Sequence, residues 1–157
     1  LPFLKKEALE AAVYTATLMG IQNIQVVTTE KSLQGKLKEH ECERLQRIII
    51  AAAEQSKQFV LPIIEQPIPL VKALESLCSS SIKLYADPTG ESLHRLLTRE
   101  SNQTSIVICI GPEGDMTAIE KELLQEAGFQ FCRLTPSILK SEHALMVFAG
   151  IVRSTLH

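Results

Sequence analysis

Gly111-Pro112-Glu113-Gly114 ends an apolar, β-branched run at 106–110, and a helical pattern begins three residues later. Strand, tight loop and helix is the arrangement in which open α/β sheets bind ligands. The loop lies at the carboxyl end of the strand, and the first helical turn offers unbonded N–H groups. The two glycines permit close approach of backbone to a bound group. Glu113 limits what that group can be. No Gly-Lys-Ser/Thr follows, so the loop is not a P-loop, and the glycine spacing is not that of a dinucleotide fingerprint. Gly-x-x-Gly also occurs in the KH clamp on RNA, but that clamp grips phosphates, which a carboxylate repels. The loop suits a nucleoside cofactor that is neutral or cationic near Glu113. By itself, the same tetrapeptide would serve equally as a structural turn.

A second stretch carries chemistry. Leu134-Thr135-Pro136-Ser137-Ile138-Leu139-Lys140-Ser141-Glu142 also follows a strand-like run and precedes a helical one, so its loop reaches the same sheet edge. Ile138 and Leu139 are apolar residues in a loop and would wall a heterocyclic ring. Lys140 and Glu142 flank the helix start, where a solvated helix end is the alternative role. Thr117-Ala118-Ile119-Glu120 has the capping-box pattern, so Thr117 and Glu120 are assigned to the backbone and not to catalysis. Glu54-Gln55 closes the longest helical pattern on its polar side.

The elements that must position these residues are legible from periodicity. Helices are expected over 4–19, with Gly20 as the stop, over 42–56, from Pro69 to Cys78, over 92–99, over 117–126 with Gly128 after it, and over 141–154 with Ser141 as a cap. Strands are expected over 24–28, at 63–64 between Pro62 and Pro67, over 82–85, 106–110 and 129–134. Asp87-Pro88-Thr89-Gly90 reads as a turn between a strand and a helix. Strands that alternate with helices predict an α/β fold, a parallel sheet with helices on both faces. The last helix is apolar nearly all round, through Ala144, Leu145, Met146, Val147, Phe148, Ala149, Ile151 and Val152. It must be buried on more than one side, and a second subunit is the favoured cover over its own domain.

Composition sets bounds. The 157 residues are enough for one domain with a true core. Aromatic residues make up only 4% and Trp is absent, which argues against aromatic platforms for base stacking. A net charge of -2 excludes broad adhesion to a polyanion and leaves room for a local basic patch. No apolar run approaches the roughly 20 residues needed to cross a bilayer, so no membrane partner is expected. Cys42, Cys78, Cys109 and Cys132 form no CxxC pair, and His40/Cys42 has no second pair beside it. No metal is expected, and the cysteines suit a reduced, cytoplasmic protein.

Together the three stretches resemble the small-subunit (16S) ribosomal RNA uridine-N3 methyltransferases of the SPOUT superfamily. Members carry Ile-Gly-Pro-Glu-Gly-Gly before a helix, then Leu-Gly-Pro-x-Ile-Leu-Arg-x-Glu-Thr-Ala, and upstream Ala-x-Glu-Gln before a short stretch ending in Pro. The matching residues are Ile110, Gly111, Pro112, Glu113 and Gly114; Leu134, Pro136, Ile138, Leu139, Glu142 and Ala144; and Glu54 and Gln55 ahead of Pro62. The chain departs from the pattern at Asp115 and Thr135, where members have glycine, at Lys140, where they have arginine, and at Gln58 and Val60, where arginines are expected.

The resemblance implies a SPOUT-like fold over 1–157 with a deep trefoil knot in its C-terminal part. It also implies that the N-terminal RNA-binding domain of the family is absent from this chain. S-adenosylmethionine would be held by Ile110, Gly111, Pro112, Glu113, Gly114, Leu134, Ile138 and Leu139. Glu142 would be the base and Lys140 the charge stabiliser, while Gln55 and Lys57 would lie in the RNA-binding segment. The implied partners are small-subunit ribosomal RNA and a second copy, joined as a homodimer through the C-terminal helix. Two other readings stay open: a knotted binding module without methyl transfer, and a sibling enzyme acting on transfer RNA.

Overall fold

The computed structural model describes residues 1–77, 81–99 and 105–155. Eleven elements alternate along it. They are α1 (Lys6–Leu18), β1 (Asn23–Thr28), α2 (Glu39–Ser56), β2 (Ile63–Pro69), α3 (Leu70–Glu75), β3 (Ile82–Ser92), α4 (Leu93–Arg99), β4 (Ile106–Cys109), α5 (Ala118–Glu126), β5 (Gln130–Arg133) and α6 (Ser141–Thr155).

Every strand pairing is parallel, but the single sheet expected from the alternation is two: β1-β2, and β4-β3-β5. The cause lies in the first residues of the chain. The N–H of Phe3 donates to the carbonyl of Val27, and the N–H of Val27 to that of Leu1, both at 2.8 Å. Residues 1–3 therefore run parallel to β1 and use its second edge, the first being taken by β2. This places residues 1–3 beside Gln25 and Val27, and among the described residues β1 does not pair with β4.

Helices do cover both faces. Ile24 and Val26 of β1 and Ile82 and Leu84 of β3 join one core with Leu9, Val13, Leu45, Ile49, Leu96 and Phe148, from α1, α2, α4 and α6. The intervening Val27 and Tyr85 turn to the opposite face, against Leu70 and Ala73 of α3 and Leu124 of α5. This is the period-two alternation of strand side chains feeding two layers.

Several expectations about local structure are corrected. β2 does not stop at Ile64; it continues through Pro67 to Pro69. Among the described residues β2 pairs only with β1, so it is an edge strand, and its unpaired side accommodates proline. α3 ends at Glu75, while Cys78, its expected end, lies outside the described residues. The Asp87-Pro88-Thr89-Gly90 turn does not end its strand. Ala86 and Glu91 both pair with Cys132 of β5, so four residues loop out and β3 resumes to Ser92. Gly90 allows this return, since a Cβ there would lie 2.4 Å from the Phe131 carbonyl oxygen.

α6 packs against α1 and α4. Ala144, Leu145, Phe148 and Ala149 are buried within the domain, while Met146 stays 48% exposed. Its own domain thus covers much of the apolar surface that was expected to call for a second subunit.

Candidate functional site

Three loops, the excursion within β3 and those at the carboxyl ends of β4 and β5, converge around a cavity of about 670 Å³. The β3 loop contributes Asp87 and Pro88. The β4 loop contributes Ile110, Gly111, Pro112, Glu113, Gly114 and Asp115. The β5 loop contributes Leu134, Thr135, Ser137, Ile138, Leu139 and Lys140, and Ser141 and Ala144 of α6 close one side. All eight residues expected to hold a cofactor line it, as does Lys140. A smaller cavity of about 270 Å³ lies between α1 and α2 and contains none of the expected site residues.

The sequence builds each wall locally. Thr117 caps α5 as expected: its hydroxyl accepts the N–H of Glu120, and the Glu120 carboxylate accepts the N–H of Thr117 at 2.9 Å. This fixes the exit of the β4 loop. Ser141 is the first residue of α6, and its hydroxyl proton goes to the Gly111 carbonyl at 2.8 Å instead of serving the helix end. The start of α6 is thereby bound to the β4 loop. Thr135 directs its hydroxyl to the Ser137 carbonyl at 2.7 Å, within its own loop.

Asp115 stands where the resembled motif has glycine, and its φ of 59° lies in the left-handed region. Aspartate tolerates that conformation better than most residues. One carboxylate oxygen accepts from Tyr85 Oη at 2.7 Å and from the Met116 N–H at 2.8 Å; the other accepts from Lys121 Nζ at 2.7 Å. Lys121 also donates to Asp87 at 2.7 Å. The Asp87 side chain is only 3% exposed, and its second oxygen accepts from the N–H and hydroxyl of Thr89.

Burial acts to raise the pKa of both carboxyls. The hydrogen bonds outweigh it: Lys121 and Thr89 for Asp87, and Lys121, Tyr85 and the Met116 N–H for Asp115. Both therefore titrate below the ordinary carboxylate value. For Lys121 burial pulls down, the two aspartates pull up, and the ammonium titrates above its ordinary value. Burial, reinforced by Asp115, raises the Tyr85 phenol, which stays protonated. Burial, with the Asp87 charge, pushes the Cys132 thiol up to about 12.

The remaining expected residues sit elsewhere. Glu142 does not line the cavity; its Oε2 is buried with no hydrogen-bond partner among the described residues. Gln55 accepts a hydrogen bond from Tyr14 of α1, and Lys57 is the left-handed cap of α2. Both residues lie at the carboxyl end of α2, and neither lines the cavity. One chain does not bring them to the cavity. Among the described residues no group of three His, Cys, Asp or Glu side chains could hold a metal ion, and no helix is long and apolar enough to cross a membrane.

Sequence reasoning missed Tyr85, Asp87 and Lys121, and also Lys31, whose Nζ donates to the Gly114 carbonyl at 2.8 Å. Only Asp87 had a local signal: Asp-Pro-Thr-Gly follows an apolar strand, at the same sheet edge as the other loops. Lys121 looks like any exposed helical lysine until α5 is docked.

The cavity suits a nucleoside cofactor. Ile110, Leu134, Leu139 and Ala144 give it apolar walls, and the glycines keep its floor low. A Cβ on Gly111 would come within 3.0 Å of Tyr85 Oη and 3.2 Å of Asp115 Oδ1, so a side chain there would crowd both groups.

Comparison with known proteins points to one family. Residues 1–153 match the family model of the RNA methyltransferase domain. The ribosomal RNA small subunit methyltransferase E of Rickettsia conorii is 30% identical over 153 residues, 96% of this chain and 61% of that protein. Its counterpart in Mesomycoplasma hyopneumoniae is 29% identical over 147 residues, 92% of this chain and 63% of that protein. The crystal structure of ribosomal RNA small subunit methyltransferase E from Neisseria gonorrhoeae bound to S-adenosyl methionine superposes with a TM-score of 0.86 at 25% identity. That match covers 98% of this chain and 62% of that one. The chain thus spans about three-fifths of the length of these relatives.

Proposed function

The chain belongs to the RNA methyltransferase domain family, and from that premise we propose that it binds S-adenosylmethionine in the three-loop cavity and methylates N3 of a uridine in 16S ribosomal RNA. The observation that carries the reading is the cavity itself. The two glycine- and leucine-bearing motifs, separate in sequence, form its facing walls. The relatives named as ribosomal RNA small subunit methyltransferases, one of them bound to S-adenosyl methionine, support the substrate and the cofactor.

Residues 110–114 and Leu134, Ile138 and Leu139 would hold the cofactor, with Glu113 beside its cationic part. When bound, the cofactor supplies an electrophilic methyl group. The chain must do the rest. Uridine N3 carries a proton and is no nucleophile until that proton leaves. Glu142 is the proposed acceptor, since its Oε2 is a buried oxygen without a donor among the described residues, and taking the proton requires its side chain to swing toward the cavity. Lys140, exposed at the cavity rim, is the proposed cation for the charge that spreads onto the flanking carbonyl oxygens.

The reading includes a knot. β5 lies across β3 from β4, yet the chain then returns so that Ser141 bonds Gly111, which supports threading of this segment. It includes a homodimer through α6, supported by exposed Met146 and half-buried Ile151 and Val152, with Gln55 and Lys57 as RNA contacts. A cytoplasmic setting is supported by the free thiols of Cys42, Cys109 and Cys132.

Calorimetric titration with S-adenosylmethionine tests the cofactor, with saturable heat expected; no heat overturns the reading. Nucleoside mass spectrometry of 16S RNA from a strain lacking the gene tests the target, and N3-methyluridine should be missing. Because Glu142 stands off the cavity, a module that binds without methylating is the second reading, and heat without methyl transfer would select it.

A further inference from the structure

Lys121 lies outside the motifs that line the cavity, yet it is the only described side chain hydrogen-bonded to both the β3 and β4 loops. Its ammonium sits between Asp87, in the four-residue excursion of β3, and Asp115, at the end of the β4 loop, 2.7 Å from each. The side chain is only 27% exposed, and the Asp87 carboxylate it meets is nearly inaccessible.

Asp115 carries the tie further. It accepts from the Tyr85 hydroxyl, and both groups stand within about 3 Å of where a Cβ of Gly111 would project. The Gly111 carbonyl in turn receives the Ser141 hydroxyl of α6. Polar contacts thus run from the β3 loop through Lys121 to Asp115, whose N–H donates to the Pro112 carbonyl within the β4 loop at 2.9 Å, and the separate Ser141 bond ties that loop to the start of α6. The first set is built around an aspartate in a left-handed conformation that glycine would adopt more readily. Glycine at 115 would leave Tyr85 and Lys121 without that acceptor.

We propose that Lys121 is a positioning residue that clasps the β3 loop to the β4 loop through Asp87 and Asp115 and so holds the cavity in its cofactor-binding shape. The proposal rests on the reading of the cavity as a site for S-adenosylmethionine. Lys121 does not touch the cofactor; it fixes the loops that do. Holding such a constellation before the ligand arrives removes an ordering cost from binding. The clasp is charge-assisted at both ends, and its Asp87 end is shielded from water whereas the Asp115 side chain is 50% exposed, so the Asp87 bond is the stronger anchor.

The test compares wild type, Lys121→Met and Lys121→Arg, each held well below its own unfolding temperature, with circular dichroism confirming the fold. Two quantities are read: the Kd for S-adenosylmethionine by calorimetry, and amide hydrogen exchange at residues 111–116 relative to α2. Lys121→Met should weaken the cofactor by about tenfold or more, as misplaced binding groups do. It should also speed exchange at 111–116 while α2 is unchanged, and Lys121→Arg, which keeps a cation, should recover most of both effects.

A Kd unchanged within about twofold overturns the proposal, a factor too small for a lost loop tie. A weakened Kd with unchanged exchange also overturns it, because the lysine would then act on the ligand directly. If wild type gives no heat, the cofactor reading falls by itself. The exchange comparison then decides whether the clasp orders the loops, and unchanged exchange in Lys121→Met ends it.

Discussion

The Ser141 hydroxyl donates to the carbonyl of Gly111 at 2.8 Å, joining the start of α6 to the floor of the loop after β4 across 30 residues of chain. Both residues come from motifs first noticed separately, and this bond holds the two walls of the cavity together. Ser141→Ala removes the donor and leaves a partly buried carbonyl without its partner. The expected loss is ~1 kcal/mol of stability by urea unfolding, with weaker cofactor binding beside it. A variant as stable as wild type that binds as tightly would show the bond to be dispensable.

Gly111→Ala tests the floor from the other side. The added methyl would meet the Tyr85 hydroxyl at 3.0 Å, in a place already fixed by Asp115. Overpacking of this kind typically costs ~1–3 kcal/mol, read here as a shift in the urea midpoint. Gly90→Ala should be worse, because its Cβ would lie 2.4 Å from backbone of β5, which cannot step aside as a side chain can. A soluble Gly90→Ala protein with wild-type unfolding would contradict the close return of β3 onto β5.

The carboxylates give a pH signature. Asp87 and Asp115 have folded pKa values below their ordinary value of 3.8. Their contribution to stability is therefore complete above that value and is lost as pH falls through the lower folded values. Lys121 is raised above 10.5, so its contribution is complete below that value and is lost as pH rises through the folded one. Stability measured across pH should be flat between these limits with respect to this triad. Asp115→Asn should reduce the acid-side loss, and an acid limb identical to wild type would rule out Asp115 as a source of it.

Glu142→Gln addresses the proposed chemistry. If Glu142 takes the uridine proton, methyl transfer should fall by about 10²–10⁴-fold with the cofactor Kd little changed, the magnitude usual for a lost general base. A wild-type rate at every pH would remove Glu142 from the mechanism.

Met146→Asp addresses the proposed homodimer. Met146 is the most exposed large apolar side chain described on α6. A carboxylate buried at its contact would lack a partner, and the dimer should weaken by about 100-fold or more in sedimentation equilibrium. A single monomeric species in wild type would dismiss the dimer through this helix.

By itself the sequence determined the order of helices and strands, the capping of α5 by Thr117 and Glu120, and both long cavity walls. Each rests on neighbours within a few residues. Strand periodicity, a helix cap and a glycine turn are short-range patterns, so residues 110–114 and 134–140 could be placed at one sheet edge without coordinates. The tertiary structure alone decided what depends on distant partners. Residues 1–3 hold the edge of β1 and so divide the sheet. The Asp87 loop is expelled from β3 because Ala86 and Glu91 both align with Cys132. Asp115, a departure from the glycine pattern, became the acceptor for Tyr85 and Lys121, 30 and 6 residues away. No window of sequence shows that an exposed-looking lysine on α5 will reach a buried aspartate 34 residues earlier. That contact exists only once β3 and β4 lie side by side, and it is set by packing of the whole chain.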